Sequence, residues 1–254
     1  MLGSMNPAPI EWPSENICVD SSMRDLASLA STIYARVCRT DLSAPGFCLI
    51  TVEAPTTSVA FRRLMIDLKN GLSAIHEKTT GKTLIILSVL RADQQNSTKL
   101  HLDGGPEESL LILGYEPSEI ASSIEVADYA RSAADMGMSP KEYLDQHNPM
   151  FPSGTELLRP YVSAVPCFSP DAFQILVVNN SSAPLDHRAW QGALHRATVN
   201  APDESRRRVI DSVLIASAPQ GSADVVTAAE LEEFINTSSV RRRTYDRPDL
   251  ADDV

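Results

Sequence analysis

Lys99-Leu100-His101-Leu102-Asp103, stopped at once by Gly104-Gly105-Pro106, is the stretch from which the rest of the chain is read. An imidazole and a carboxylate two residues apart project to the same side of an extended chain. His195 lies far downstream in Gly192-Ala193-Leu194-His195-Arg196, at the start of an apolar stretch. A strand that brings it alongside would put two imidazoles and one carboxylate on one face of a metal ion. Such a ligand set leaves coordination positions open for other molecules. Arg206, Arg207 and Arg208 follow eleven to thirteen residues beyond His195 and offer a fixed cation for an acidic co-substrate.

Working upstream, Asp20-Ser21-Ser22 is expected to cap a helix whose apolar residues fall at Leu26, Leu29, Ala30, Ile33 and Val37. Pro45-Gly46 breaks it, and residues 47–52 read as a strand. A stronger helical pattern follows at Phe61, Leu64, Met65, Leu68, Leu72 and Ile75, ended by Gly81. The nearly continuous apolar run over 83–90 predicts a strand covered on both faces. Residues 94–98 are a polar turn region.

Downstream, residues 109–113 form another apolar strand. Residues 122–147 read as a helical insertion, with one helix through Ile124, Ala127, Tyr129, Ala130 and Ala134. A second helix opens at Ser139-Pro140-Lys141-Glu142, where capping residues and an early proline coincide. Strands are expected over 173–178, 194–199 and 209–216, and a capping box from Thr227 and Glu230 starts a final helix reaching Asn236. Helices flank a β-rich centre without strand–helix alternation, which argues against a doubly wound parallel sheet. The pattern fits a double-sheet β-sandwich with helices outside one sheet.

The spacing His-x-Asp, then a distant His, then a basic residue ten to fifteen positions later resembles the Fe(II)/2-oxoglutarate-dependent dioxygenase family. His101, Asp103, His195 and the arginines at 206–208 carry the resemblance, which covers about residues 83–218. It implies a mainly β fold with flanking helices, a double-stranded β-helix (jelly-roll) core that is cupin-like. It also implies Fe(II) held by His101, Asp103 and His195, with 2-oxoglutarate as co-substrate and dioxygen as oxidant. The expected reaction oxidises a small organic molecule, most simply by hydroxylation, and releases succinate and carbon dioxide. In the family an arginine grips the far carboxylate of 2-oxoglutarate with its planar fork.

On the strand beginning near Arg206, the even positions Arg206, Arg208, Ile210, Ser212 and Leu214 share a face. Asp211 on the odd face is a poor candidate for a barrel interior. Arg208 is therefore the preferred co-substrate ligand, with Arg206 next and Ser212 adding a hydroxyl. Family members often carry Arg-x-Ser, whereas Ile210 stands two residues after Arg208 here. His187, also followed by an arginine, rivals His195 but has no strand leading away. Arg91, ending the strand before the motif, reads either as a substrate contact at the pocket mouth or as a solvated strand-end arginine. His76 and His147 read as surface or capping residues. Two alternatives stay open: a cupin-like metalloenzyme without 2-oxoglutarate, and a non-catalytic β-sandwich binding module.

The 254 residues suit one large domain: an irregular start over 1–20, a single jelly-roll oxygenase domain over 21–237 with the insertion near 122–147, and a mobile charged tail over 238–254. Met1-Leu2-Gly3-Ser4 reads as a cloning remnant. The net charge of −11 disfavours nucleic acid, whose binding needs clustered Lys and Arg. No apolar run is long enough for a membrane span, and no secretory signal is evident. Cys18, Cys38, Cys48 and Cys167 lack CxxC spacing and read as buried or free thiols of a reducing compartment, hence a cytoplasmic protein. The oligomeric state is left open.

Overall fold

The computed structural model describes residues 12–20, 25–53, 56–186 and 188–242. Met1 to Ser4, the tail from 243 onward and His187 lie outside them. The chain runs α1 (Ser14–Ile17), β1 (Cys18–Asp20), α2 (Leu26–Val37), β2 (Phe47–Thr51), α3 (Ser58–Thr80) and β3 (Lys82–Asp93). There follow β4 (Ser109–Tyr115), β5 (Ser122–Ala127), α4 (Tyr129–Asp135), α5 (Pro140–Gln146), α6 (Pro152–Leu158) and β6 (Val162–Ala164). Last come β7 (Gln174–Asn179), β8 (Leu194–Val199), β9 (Val209–Pro219), α7 (Ala228–Asn236) and β10 (Arg241–Arg242). No described helix is long and apolar enough to cross a membrane.

The body is mostly sheet. Seven strands form one sheet in the order β1-β2-β7-β4-β9-β3-β10, antiparallel except for the β1–β2 and β3–β10 pairs. Three more form a smaller antiparallel sheet, β6-β5-β8. Alternation along each strand divides the large sheet into two faces. Ile112, Ile175, Val177, Val213 and Ile215 meet Leu29, Ile33, Phe61, Met65 and Leu72 of α2 and α3. The opposite face, with Leu111, Leu113, Leu176 and Val178, meets Ile124 and Val126 of the small sheet.

One irregularity sets which residues of β3 face which way. The β3–β9 register shifts between Ile86 and Ser88, a β-bulge at Leu87. An extra residue reverses the alternation beyond it. Leu84 and Ile86 pack against the helices before the bulge, as does Val89 after it. Ser88, Leu90 and Ala92 thereby turn to the inter-sheet space. Arg91 turns away from that space, so its expected place at the pocket mouth is corrected. Its Nη1 contacts Glu116 at 2.6 Å and Asp211 at 2.9 Å, beneath α3. Burial pushes the Asp211 carboxyl up, to about 7, although Arg91 beside it works the other way. Arg62 of α3 joins the cluster through Glu116 at 3.4 Å and donates to the Ile235 and Thr237 carbonyls at the end of α7. Those carbonyls are ones a helix end leaves unsatisfied.

Three local readings also differ. The helix expected from Ile124 onward is a strand up to Ala127, with Asp128 capping α4 through Arg131 N. Ile124 and Val126 are buried at period two, and the β5–β8 pairing outweighs local helical spacing. The cap of α2 is Asp25, which accepts from Ser28 N at 2.8 Å; Asp20 ends β1, and Ser21 and Ser22 lie outside the described residues. Cys18 and Cys167 form a disulfide across 149 positions, joining β1 to the turn after β6, a pairing that spacing does not reveal, whereas Cys38 and Cys48 are free and buried as expected.

His76 is buried rather than at the surface. It hydrogen-bonds Tyr34 at 2.9 Å and Ser217 at 3.0 Å, with the Trp190 ring 4.9 Å away. Burial pushes its pKa down to about 4, below the ordinary 6.5 that the unfolded chain keeps. The native state therefore resists protonation, and its stability falls as pH drops from 6.5 towards 4. In urea denaturation from pH 7 to 4.5, His76→Gln should lose less stability than the wild type; parallel curves would refute this role for His76.

Candidate metal centre

His101 and His195 oppose each other in an antiparallel bridge that extends the small sheet beyond β8. Their backbones exchange both hydrogen bonds, at 3.2 and 3.1 Å, and Thr98 N adds another to Ala197 O. Directly paired residues place their side chains on the same face, and the two imidazole centroids lie 4.4 Å apart. Asp103 follows two residues on. Its carboxylate oxygens stand 3.8 Å from His101 Nε2 and 3.9 Å from His195 Nε2. One ligand atom from each of the three residues lies within 4.8 Å of the others.

The state of each donor suits a cation. His101 Nδ1 lies 2.7 Å from Lys99 O, to which it donates, so the lone pair on Nε2 is free. His195 is 6% exposed, and burial, reinforced by His101 beside it, pushes its pKa down to about 3. It is therefore neutral at pH 7, as metal ligation requires. Two imidazoles and a carboxylate match the preference of a first-row divalent ion. The residues present fit an Fe(II)-type centre.

Three devices fix these side chains. Asn180, 2% exposed, clamps Asp103 with both ends of its amide: Oδ1 accepts from Asp103 N at 2.9 Å and Nδ2 donates to Asp103 O at 2.8 Å. Gly192 precedes β8 where the chain presses against Ser181; a Cβ there would lie 1.9 Å from Ser181 O, so only glycine fits. Arg39, 3% exposed, spends its donors on Gln191 O at 2.9 Å, Ala44 O at 2.7 Å, Gly192 O at 3.3 Å and a bidentate pair with Asp128 at 2.9 and 2.5 Å. It ties the approach to β8 to the start of α4. The helices after β5 buttress the motif from behind, since Leu100 and Leu102 pack with Tyr129, Tyr143 and Leu158.

The triad opens into a cavity of about 270 Å³ between the sheets. Ile210, Ser212 and Leu214 line it from β9, Leu111, Leu113 and Tyr115 from β4. Arg208, 2% exposed, borders it beside two lining residues. Its Nη1 donates to Gln94 O at 2.9 Å, and its guanidinium lies 5.4 Å from the Tyr115 ring centroid. Nε donates to Ser122 at 3.0 Å, while Nη2 is buried without a hydrogen-bond partner among the described residues. Burial lowers the guanidinium pKa, since a desolvated cation is held less favourably.

The remaining candidates separate cleanly. Arg206 is half exposed, in ion pairs with Glu119 and Asp203, outside the cavity. Its position precedes β9, before regular alternation holds. Ser212 lines the cavity, but the hydroxyl at the guanidinium is that of Ser122, which sequence reasoning missed because it took that segment for helix. Arg39 and Asn180 are the other omissions. Arg39, two residues past the end of α2, carries no visible sign of its partner Asp128, and Asn180, just past β7, shows none of its clamp on Asp103.

No family model matches this chain, and no curated protein does. Among solved structures it is similar to an iron and alpha-ketoglutarate-dependent endoperoxidase, NvfI, in a different conformation, at TM-score 0.39 and 12% identity, covering 74% of this chain and 82% of that one. A tryptophan-to-phenylalanine variant of NvfI gives TM-score 0.39 and 12% identity over 73% of this chain and 81% of that one. Overlaps this loose carry no weight below.

Removing one partner of a buried ion pair leaves an uncompensated charge and costs about 3–5 kcal/mol. Arg39→Met should lower the unfolding free energy by that amount, and adding Asp128→Asn should restore part of it. A loss below about 1 kcal/mol in urea denaturation would show that the clamp contributes no more than an exposed pair.

Proposed function

We propose that this chain is an Fe(II)- and 2-oxoglutarate-dependent oxygenase with a double-stranded β-helix (jelly-roll) core, oxidising a small organic molecule. The carrying observation is the convergence of His101, Asp103 and His195 on one cavity that Arg208 borders with an unpaired buried nitrogen. In this reading the three residues hold Fe(II), and Arg208 receives the far carboxylate of 2-oxoglutarate. When bound, iron and 2-oxoglutarate supply an oxidant from dioxygen, with succinate and carbon dioxide released.

The chain's own residues do the positioning. Asn180 fixes the backbone of Asp103, and Lys99 O fixes the tautomer of His101. Ser122 and Gln94 O occupy part of the Arg208 fork and hold it over the Tyr115 ring, leaving Nη2 for a ligand oxygen. Burial pushes the Tyr115 phenol up to about 12, so it stays a neutral hydrogen-bond donor at the cavity wall. The unpaired Arg208 nitrogen favours a carboxylate co-substrate over a cupin-like centre that uses none.

With anaerobically loaded iron, the wild type should form succinate from 2-oxoglutarate once oxygen is admitted. His101→Ala should abolish this turnover; full activity in the variant would sink the reading. Arg208→Ala should raise the 2-oxoglutarate requirement roughly 30-fold or more, the loss expected when one side of a buried charged contact is removed, with iron affinity unchanged. An unaltered requirement would remove Arg208 from the co-substrate site.

A further inference from the structure

The strand registers divide the cavity into two zones. Along β9, Ile210 pairs with Ala92 and Tyr115, Ser212 with Leu90 and Leu113, and Leu214 with Ser88 and Leu111. Arg208 precedes this ladder, and its contact Ser122 pairs with Val199 of β8. His195 stands four residues back along β8, roughly 13 Å at about 3.3 Å per residue. Ala92, Thr98, Tyr115, Ala197 and Ile210 thus border the zone on the Arg208 side. Leu90, Leu111 and Leu214, with the hydroxyls of Ser88 and Ser212, form the zone at the opposite end of the ladder.

Among the described residues, none that lines that second zone is ionisable. Of the same residues, the ionisable ones lining the whole cavity are His101, Asp103, His195 and Tyr115. Arg91 and Asp211, the charges of the adjoining strands, sit on the other face of the sheet in their own cluster. Resting on the oxygenase reading, we propose that the oxidised substrate is an uncharged, largely apolar compound lodged against Leu90, Leu111 and Leu214. Ser88 and Ser212 can each serve one neutral oxygen of it. The way in is across β3, where Ser88 is exposed and Leu90 half-buried: among the described residues β10 pairs with Ala92 and Asp93, and Glu230, Glu233 and Arg241 border the outer cleft rather than the zone itself. A carboxylate or ammonium group here would lose its hydration with no partner to replace it, at a cost of several kcal/mol.

Cyclohexanol, cyclohexanecarboxylate and cyclohexylammonium share one skeleton and differ in charge. Their proton resonances can be followed with the protein loaded with Mn(II) and 2-oxoglutarate, where proximity to the ion broadens them. Cyclohexanol should be broadened at least about tenfold more than either ion, the ratio for a difference of about 1.4 kcal/mol. Equal or greater broadening of an ion, or no broadening of any of the three, overturns the proposal and leaves the oxygenase reading standing. Leu214→Asp should transfer the preference to cyclohexylammonium; an unchanged order would overturn the placement at Leu214. If wild-type protein fails to hold Mn(II), judged by water relaxation, the metal centre falls and this inference with it.

Discussion

Two backbone hydrogen bonds exchanged between His101 and His195 are the constraint on which the site depends. Side chains alternate at period two along a strand, so a slip of one residue would send one imidazole to the far face. Asp103 inherits its position from the same register. The surroundings are arranged to prevent such a slip. Asn180 holds the strand after His101 by the backbone of Asp103, and the tight contact of Gly192 with Ser181 holds the entry to β8. Arg39 then locks residues 191 and 192 to Asp128, on the neighbouring strand's end. None of these groups touches the proposed ion. They set where its ligands stand.

Charge is sorted by sheet face. Towards the helices, Arg62, Arg91, Glu116 and Asp211 satisfy one another in a buried cluster. Towards the cavity, the formal charges are Asp103 and the bordering Arg208, separated along the ladder. On the helix side each guanidinium meets carboxylates, although Arg91 Nε itself has no partner, whereas Arg208 makes no ion pair among the described residues and keeps Nη2 free. That contrast separates charge that stabilises the fold from charge kept available for a ligand, since leaving a buried donor unsatisfied costs about 1–3 kcal/mol.

Much of this was legible in the chain. The period of α3, its stop at Gly81, the box opening α7 and the bounds of β8 all rest on local chemistry, which sequence displays directly. The inward face of β9 followed from excluding Asp211, and Arg208 does border the cavity. What could not be read depends on partners remote in sequence. Strand β5 looks helical until β8 and β6 flank it. Arg39 and Asp128 are 89 positions apart, and Cys18 and Cys167 149, with nothing local to announce either pair. Arg91 was misplaced because a run of apolar residues gives no sign of where an extra residue enters the ladder.

That extra residue, Leu87, makes β3 a strand with two reading frames. Upstream of it the even-numbered side chains belong to the helix-facing core; downstream they furnish the wall of the cavity. Loss of that one residue would leave Ile86 opposite Ile215 and Ser88 opposite Leu214 as they are, so the ladder would close up with leucine still in the chamber and the guanidinium still outside it. A residue lost beyond the bulge, between Ser88 and Arg91, has no such slack to absorb it, and there the faces would trade places.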